Sequence, residues 1–337
     1  MKTFRPYRIF ILVALFLFSL EKPGFSAMKA FGEEAEDTHG VTAEVELSAS
    51  DFGLSVRKIT QPVEGIDREY HLLLLSDLHI IVDADADVDD SAKEEVKQRR
   101  TEYFHTPEGT LPAELWEKLP EELNAMDGDM ILFAGDMIDY DTRAQTAALK
   151  DGFDRVKSPW MYVRGDHDYG AWYSYTHETQ EDAIRMQEET APREKVMMQK
   201  IDGLTVVGWD NDTAQMTDEG LEKLEAYLAQ AEEESSPVVF TCHVPFKGLA
   251  TDQLAELSLE KRGKKLLWGD GDCEYQPDET TQKALDLILA EDSPVKLVCC
   301  GHLHFPYIGP MTNKIPLVVA APAYEGNVNE IVLTPVN

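Results

Sequence analysis

Three ionisable side chains stand in a row in RGDHDYG, residues 164–170, between two glycines and directly after the apolar run WMYV. A plain turn needs only Asp-Gly or Asn-Gly. Asp166, His167 and Asp168 together can instead bind a metal ion, move a proton or orient one another. The same texture recurs along the chain. Apolar runs end in Asp77 with His79, in Asp136 with Asp139, in Asp166 with His167 and Asp168, in His243, and in His302 with His304. Carboxylate mixed with imidazole is a donor set that suits manganese, iron or zinc. Singly, each fragment is weak: a Gly-Asp at a strand end is commonly a turn, and a lone His there is commonly structural. Jointly they say more, because five of the nine histidines lie at these ends, and solvent-exposed placement alone would scatter them.

The elements that must position these residues are strands. YHLLLLSDLHI (70–80), DMILFAGDMID (129–139), RVKSPWMYVRGDHD (155–168), SPVVFTCHVPF (236–246) and SPVKLVCCGHLHF (293–305) each read as an apolar strand closing on polar residues. Buried strands of an α/β sheet end together at one edge, and the loops there build sites. Between the strands, 111–126 is broadly helical with a break at Pro120. Residues 195–212 read as a hairpin turning at Asp202-Gly203, and 217–234 as a helix capped by Thr217. A further helix is expected near 282–292, and the tail from Ile315 reads as two strands around Gly326-Asn327. Residues 83–100 are a charged excursion. Asp83, Asp85, Asp87 and Glu94 fall at the places of an EF-hand loop, but Val88 takes the sixth place, where Gly is required. A solvated acidic loop is therefore expected, not a calcium site. No internal repeat or interior linker interrupts 51–337, which reads as one domain after a polar linker at 28–50.

The chain carries 63 acidic against 31 basic residues, a formal charge of −32. That field argues against duplex nucleic acid and anionic membranes as partners, while a local cation still permits a small phosphorylated ligand. Residues 1–27 carry a basic start (Lys2, Arg5, Arg8) and a twelve-residue apolar run, Ile9 to Leu20. The run suits a signal peptide better than a membrane span, and an uncleaved anchor through residues 9–20 would also leave the body outside. Export is therefore expected, secreted or membrane-anchored. The four cysteines, Cys242, Cys273, Cys299 and Cys300, read mostly as small buried hydrophobes, not as a disulfide scaffold or a zinc site.

Taken in order, DLH (77–79), GDMID (135–139), GDHD (165–168), CHVP (242–245) and GHLH (301–304) resemble the calcineurin-like metallophosphoesterases. The resemblance covers about residues 70 to 310. It implies an α/β sandwich of two mixed β-sheets flanked by helices, and two divalent metal ions. By resemblance, Asp77, His79 and His304 hold one ion, Asp166, His243 and His302 the other, and Asp136 bridges. His167 acts as the acid, oriented by Asp168. A hydroxide activated between the metals attacks phosphorus. Two cations can neutralise an anionic ester, acidify a water and stabilise the leaving oxygen.

The chain also departs from the family's pattern. Position 166 is usually Asn in the family and is Asp here, which implies tighter metal binding and a weaker pull on phosphate. GDMIDYDT lacks the Asp-Arg-Gly of the Ser/Thr protein phosphatases, and DLH lacks the glycine of purple acid phosphatases. The chain looks more like bacterial exported phosphoesterases, with diesters favoured over monoesters. The alternative is an exported binding or scaffold protein with an impaired metal site. Asp139 reads as a support for the site or a helix N-terminal carboxylate, Arg164 as a surface residue more than a phosphate contact, and Trp172, Tyr173 and Tyr175 as an aromatic wall or simple packing. His105 and His177 read as structural.

Overall fold

A strand turns successive side chains to opposite faces. In this chain both faces of most strands are apolar, so each sheet needs a cover on both sides. The computed structural model meets that need with two six-stranded sheets facing each other and helices outside both. It describes residues 44–49, 54–82, 87–88, 90–171, 180–191, 194–212, 215–271, 273 and 276–336. The leader, most of the linker, part of the acidic excursion, and Trp172, Tyr173, Tyr175 and His177 lie outside the described residues.

In chain order the strands are β1 (Glu44–Ala49), β2 (Ser55–Val63), β3 (Tyr70–Leu75), β4 (Met130–Ala134), β5 (Trp160–Val163), β6 (Val196–Ile201), β7 (Leu204–Trp209), β8 (Val238–Cys242), β9 (Val295–Cys300), β10 (Tyr307–Pro310), β11 (Pro316–Val319) and β12 (Asn327–Pro335). The helices are α1 (Lys93–Gln98), α2 (Pro112–Trp116), α3 (Leu119–Met126), α4 (Arg143–Arg155), α5 (Gln180–Met186), α6 (Asp218–Glu233), α7 (Asp252–Arg262) and α8 (Glu279–Leu289). One sheet runs β1-β2-β12-β3-β4-β5 and the other β10-β11-β9-β8-β7-β6. β3, β4 and β5 are parallel neighbours, as are β7, β8, β9 and β11. The outer pairs β1–β2, β6–β7 and β10–β11 are antiparallel. This is the sandwich of two mixed sheets that the sequence implies.

The alternation is visible in the core. Leu72 and Leu74 of β3, Leu132 of β4, Val239 of β8 and Leu297 of β9 fill the layer between the sheets. Their neighbours Leu73, Leu75, Ile131 and Phe133 turn outward to α2, α3 and α4. Val238, Phe240 and Val298 turn outward to α6, α7 and α8.

Local signals explain several boundaries. The Thr217 hydroxyl accepts from the Gly220 N–H at 3.0 Å and caps α6. Asp278 caps α8 through the Thr281 N–H at 2.8 Å, so that helix begins before the expected stretch. Residues 111–126 split into α2 and α3, with Pro120 accommodated in the first turn of α3. α4 buries Gln145, Thr146, Leu149, Gly152 and Phe153 along one stripe. Its Gly152 is a contact residue, since a Cβ there would lie 2.1 Å from the Trp116 indole. The tail departs from a hairpin. β11 pairs with β9 and β10, whereas β12 inserts between β2 and β3 of the other sheet. Residues 44–49, within the stretch expected as linker, form β1 against β2. Val88 is buried with Ile81, Ala92 and Phe104, so the sixth place of the EF-hand-like run holds a core residue. Among the described residues no helix is long and apolar enough to cross a membrane.

One pH effect follows from β3. His71 meets Glu330 and Glu69, each at 2.8 Å. Partial burial opposes its charge, yet the two carboxylates raise its pKa. A raised imidazole pKa stabilises the fold fully below the unfolded value of about 6.5, and that stabilisation is lost as pH rises through the folded value. Thermal unfolding should therefore show His71→Ala costing stability at pH 5.5 and nearly none at pH 9. An equal cost at both pH values would refute this.

Candidate metal centre and active site

The strands of both sheets deliver their polar ends to one seam, and the backbone there is bent to do so. Asp77, His79, Asp136, His302 and His304 all have positive φ, between 51° and 71°. They are five of the seven non-glycine residues in that region among the described residues. Such conformations cost energy and persist where the surroundings over-determine them. The Asp77 N–H donates to the Gly135 carbonyl, and the His79 N–H to that of Asp136, both at 2.9 Å. The His302 N–H donates to the Asp77 carboxylate at 3.0 Å. The motif glycines make room for these contacts. A Cβ on Gly135 would lie 2.4 Å from His243 Nδ1, on Gly165 2.2 Å from Asp136 Oδ1, and on Gly301 1.7 Å from Ser76 Oγ.

Three donor groups occur among the described residues: one is His79, Asp139 and His167, and the other two meet at Asp136. Asp77, His79, Asp136 and His304 present ligand atoms within 4.8 Å of one another, and so do Asp166, His243 and His302. Asp136 joins them, with Oδ2 at 3.6 Å from His79 Nε2 and 3.3 Å from His243 Nε2. Imidazole nitrogens face each other directly: His79 Nε2 and His304 Nε2 at 3.0 Å, His243 Nε2 and His302 Nδ1 at 3.3 Å. Two tautomers are set from behind. His243 Nδ1 lies 2.7 Å from the Ala134 carbonyl, which only accepts, and His79 Nδ1 lies 2.9 Å from Asp139 Oδ1. In each ring Nε2 is the nitrogen left to face the carboxylates, carrying either a proton or a metal ion.

The electrostatics call for added positive charge. Burial works against a charged His243, yet Asp136 and Asp166 push it well above the usual imidazole range. Burial also works against Asp166, yet His243 and His302 hold it well below the carboxylate range. Burial pushes Asp77 up, with Asp136 adding repulsion. Asp166 is about one-third exposed, but its Oδ1 is buried and accepts no hydrogen bond. Mixed carboxylate and imidazole donors, oriented from behind and short of positive charge, fit divalent cations.

His167 and Asp168 part company here. Asp168 Oδ2 accepts from the N–H groups of Asp136 at 2.7 Å and Gly165 at 2.8 Å, and Oδ1 from Ile138 at 3.0 Å. It staples the loop after β4 to the loop after β5, and burial with the Asp136 charge pushes it up to about 7. The His167 ring is held by Asp139 instead: Nδ1 donates to the Asp139 carbonyl at 2.8 Å and lies 3.2 Å from Oδ1. The Asp139 carboxylate also meets His79 and takes both Nε and Nη2 of Arg99, at 2.7 and 2.8 Å. Burial opposes a charged His167, but Asp136 and Asp139 outweigh it and push the ring up to about 10.

Several contributors escaped the sequence reading. Arg99 and Phe104 come from and just beyond the charged excursion, and Phe104 stacks on His79 at 4.2 Å and 3°. The only sequence signal for Arg99 was a basic pair closing an acidic run. Asn211 Oδ1 accepts from the His243 and Val244 N–H groups at 3.1 and 3.0 Å, fixing the bend after β8. Arg164 is not a surface residue. It is fully buried, its Nε donates to Gln187 Oε1 at 2.7 Å, and its Nη1 lies 3.6 Å from Asp210. The four cysteines are buried and form no disulfide among the described residues, with Cys242 and Cys300 Sγ 3.5 Å apart.

Residues 70–306 match the family model described as calcineurin-like phosphoesterase. The chain belongs to that family. The matched span contains all five motif blocks, so this calcineurin-like phosphoesterase is a metal-dependent hydrolase of phosphoric esters. No curated protein matches the chain. Among solved structures it is similar to a dimetal phosphatase from Danio rerio (12% identity, 77% of this chain and 89% of that one, TM-score 0.43). It is similar also to a purple acid phosphatase from yellow lupin, Lupinus luteus (13%, 84% and 50%, 0.47), and to a putative 5'-nucleotidase from Staphylococcus aureus (13%, 78% and 50%, 0.42). The chain spans half the length of the last two. The family assignment rests on the matched residues, not on these likenesses.

Two substitutions probe the seam. Asp168→Ala leaves three buried N–H groups without an acceptor and should cost roughly 3 kcal/mol or more in denaturant unfolding; a loss below about 1 kcal/mol would show that the staple is dispensable. Gly301→Ala should strip divalent metal from the protein in equilibrium dialysis, because its Cβ displaces Ser76 and Asp77. Full metal retention would contradict the packing.

Proposed function

We propose that this chain hydrolyses phosphodiesters in preference to phosphomonoesters, with two divalent cations, outside the cytoplasm. The carrying observation is the third carboxylate, Asp166, set against His243 and His302. Asp77, His79 and His304 would hold one ion, Asp166, His243 and His302 the other, and Asp136 would touch both. Manganese, iron and zinc all suit the donors. When bound, the cations supply charge neutralisation of the ester and a nucleophile from water at neutral pH.

Three carboxylates against two divalent cations leave the centre one charge positive, where an Asn at 166 would leave it two. A dianionic monoester depends more steeply on that charge than a monoanionic diester does. The third carboxylate therefore tilts the preference toward diesters. His167, held through Nδ1 by Asp139 and lining the cleft, is placed to give a proton to the leaving oxygen. Arg99 holds Asp139, and Phe104 keeps the His79 ring in plane. The apolar run at residues 9–20 supports export.

The test uses protein lacking residues 1–27, metal-stripped and reloaded with manganese, on bis(p-nitrophenyl) phosphate and p-nitrophenyl phosphate. Turnover should require metal, favour the diester, and fall at least roughly 100-fold in Asp136→Asn. Asp166→Asn should move the diester-to-monoester ratio about tenfold toward the monoester. An unmoved ratio would sink the charge argument. No turnover despite two bound ions would favour a binding or scaffold role.

A further inference from the structure

A cleft of about 640 Å³ opens over the metal centre. Asp136, Asp166, His167, His302 and His304 line it, together with Arg262 and Lys264. In a chain of formal charge −32, two cations beside a phosphoester site ask for a reason. Both belong to the run Lys261-Arg262-Gly263-Lys264-Lys265, where α7 ends. Gly263 closes the helix at φ +72°, and nothing lies within 4 Å of where its Cβ would be. Lys261 sits over the Phe305 ring at 5.6 Å, and Lys265 meets Glu256 at 3.1 Å. Among the described residues, Arg262 and Lys264 meet no carboxylate within ion-pair distance, and both are exposed. Cations in a helix's last turn complement its dipole. That accounts for Lys261 and Arg262 but not for Lys264, which lies beyond the cap.

Arg262 and Lys264 line the cleft without belonging to the metal-capable donor groups. The lining also includes Tyr103, half exposed, Phe104 and Tyr324, and one carboxylate outside the metal-capable donors, Glu102. The cleft thus offers cations and aromatic rings to the parts of a substrate that flank the scissile ester. We infer that Arg262 and Lys264 bind a second phosphate group carried by the substrate, so that the enzyme selects phosphodiesters bearing a further phosphate. This rests on the phosphodiesterase reading of the site. The global charge would otherwise repel such a substrate, and local cations override the sign where it binds.

The experiment compares two esters with the same scissile bond: thymidine 5′-(p-nitrophenyl phosphate) and its 3′-phosphorylated form. Release of p-nitrophenol by the manganese-loaded protein reports both. The 3′-phosphate should raise kcat/KM about tenfold, through KM, and 0.5 M salt should erode the gain. Arg262→Ala/Lys264→Ala should bring the ratio of the two esters close to one, while Arg262→Lys should keep most of it. A wild-type ratio near one, or a ratio that survives the double substitution, would overturn the inference. If neither ester is hydrolysed, the phosphodiesterase reading fails and takes the inference with it. A variant with lower activity on both esters is still informative, because the ratio is the readout.

Discussion

Three carboxylates, Asp77 and Asp136 buried and Asp166 partly so, lie within a few ångströms of four imidazoles at the seam of two β-sheets, and most of this structure answers to that constraint. A buried charge is costly unless it is paired and hydrogen-bonded. The pairing here is mutual: carboxylates raise His243, and His243 with His302 lowers Asp166. The arrangement is complete only with added positive charge. Divalent cations satisfy it better than protons, because each ion takes several donors at once. The left-handed backbone at Asp77, His79, Asp136, His302 and His304 is what this convergence costs, and the tightly packed motif glycines are what make it possible.

Around this centre lies a layer of buried polar groups whose partners point away from solvent. Asp168 ties two loops through three backbone N–H groups, and Asp139 gathers His79, His167 and Arg99. Arg164 spans from Gln187 to Asp210 behind the same loops, and Gln187 in turn donates to the Asp168 carbonyl at 2.6 Å. Such a network holds rings and carboxylates in one geometry, which matters because catalysis is sensitive to small misplacements. It also separates two roles that adjacent residues in GDHD might be thought to share. His167 faces the cleft, and Asp168 faces the backbone.

Charge works on two scales. The chain as a whole is strongly acidic, which keeps polyanions away. At the cleft Arg262 and Lys264 set two cations beside the acidic centre. Asp166 trims the positive charge of the metal centre, while the two cations stand outside the ligand set. Chemistry at the scissile bond and recognition of its substituents are thereby carried by different residues, and each can be tuned without disturbing the other.

The donors were legible in the sequence because both their types and their settings are local. Each of Asp77, His79, Asp136, Asp166, His243, His302 and His304 follows an apolar run, and strands of a parallel sheet end together. The two-sheet class followed from the same order of blocks. What tertiary structure alone decided is everything that depends on approach from a distant segment. Asp139, not Asp168, holds His167, because the loop after β4 passes beside that ring while the Asp168 side chain turns back toward three N–H groups. Arg99 and Phe104 enter from a charged stretch with no local pattern to mark them. Arg164 is buried because Asp210, forty-six residues away in sequence, lies beside it. β11 and β12 separate into different sheets because strand partners are chosen by packing, not by sequence proximity. Residue type and period are properties of a short stretch. The partner of a buried charge is a property of the whole fold.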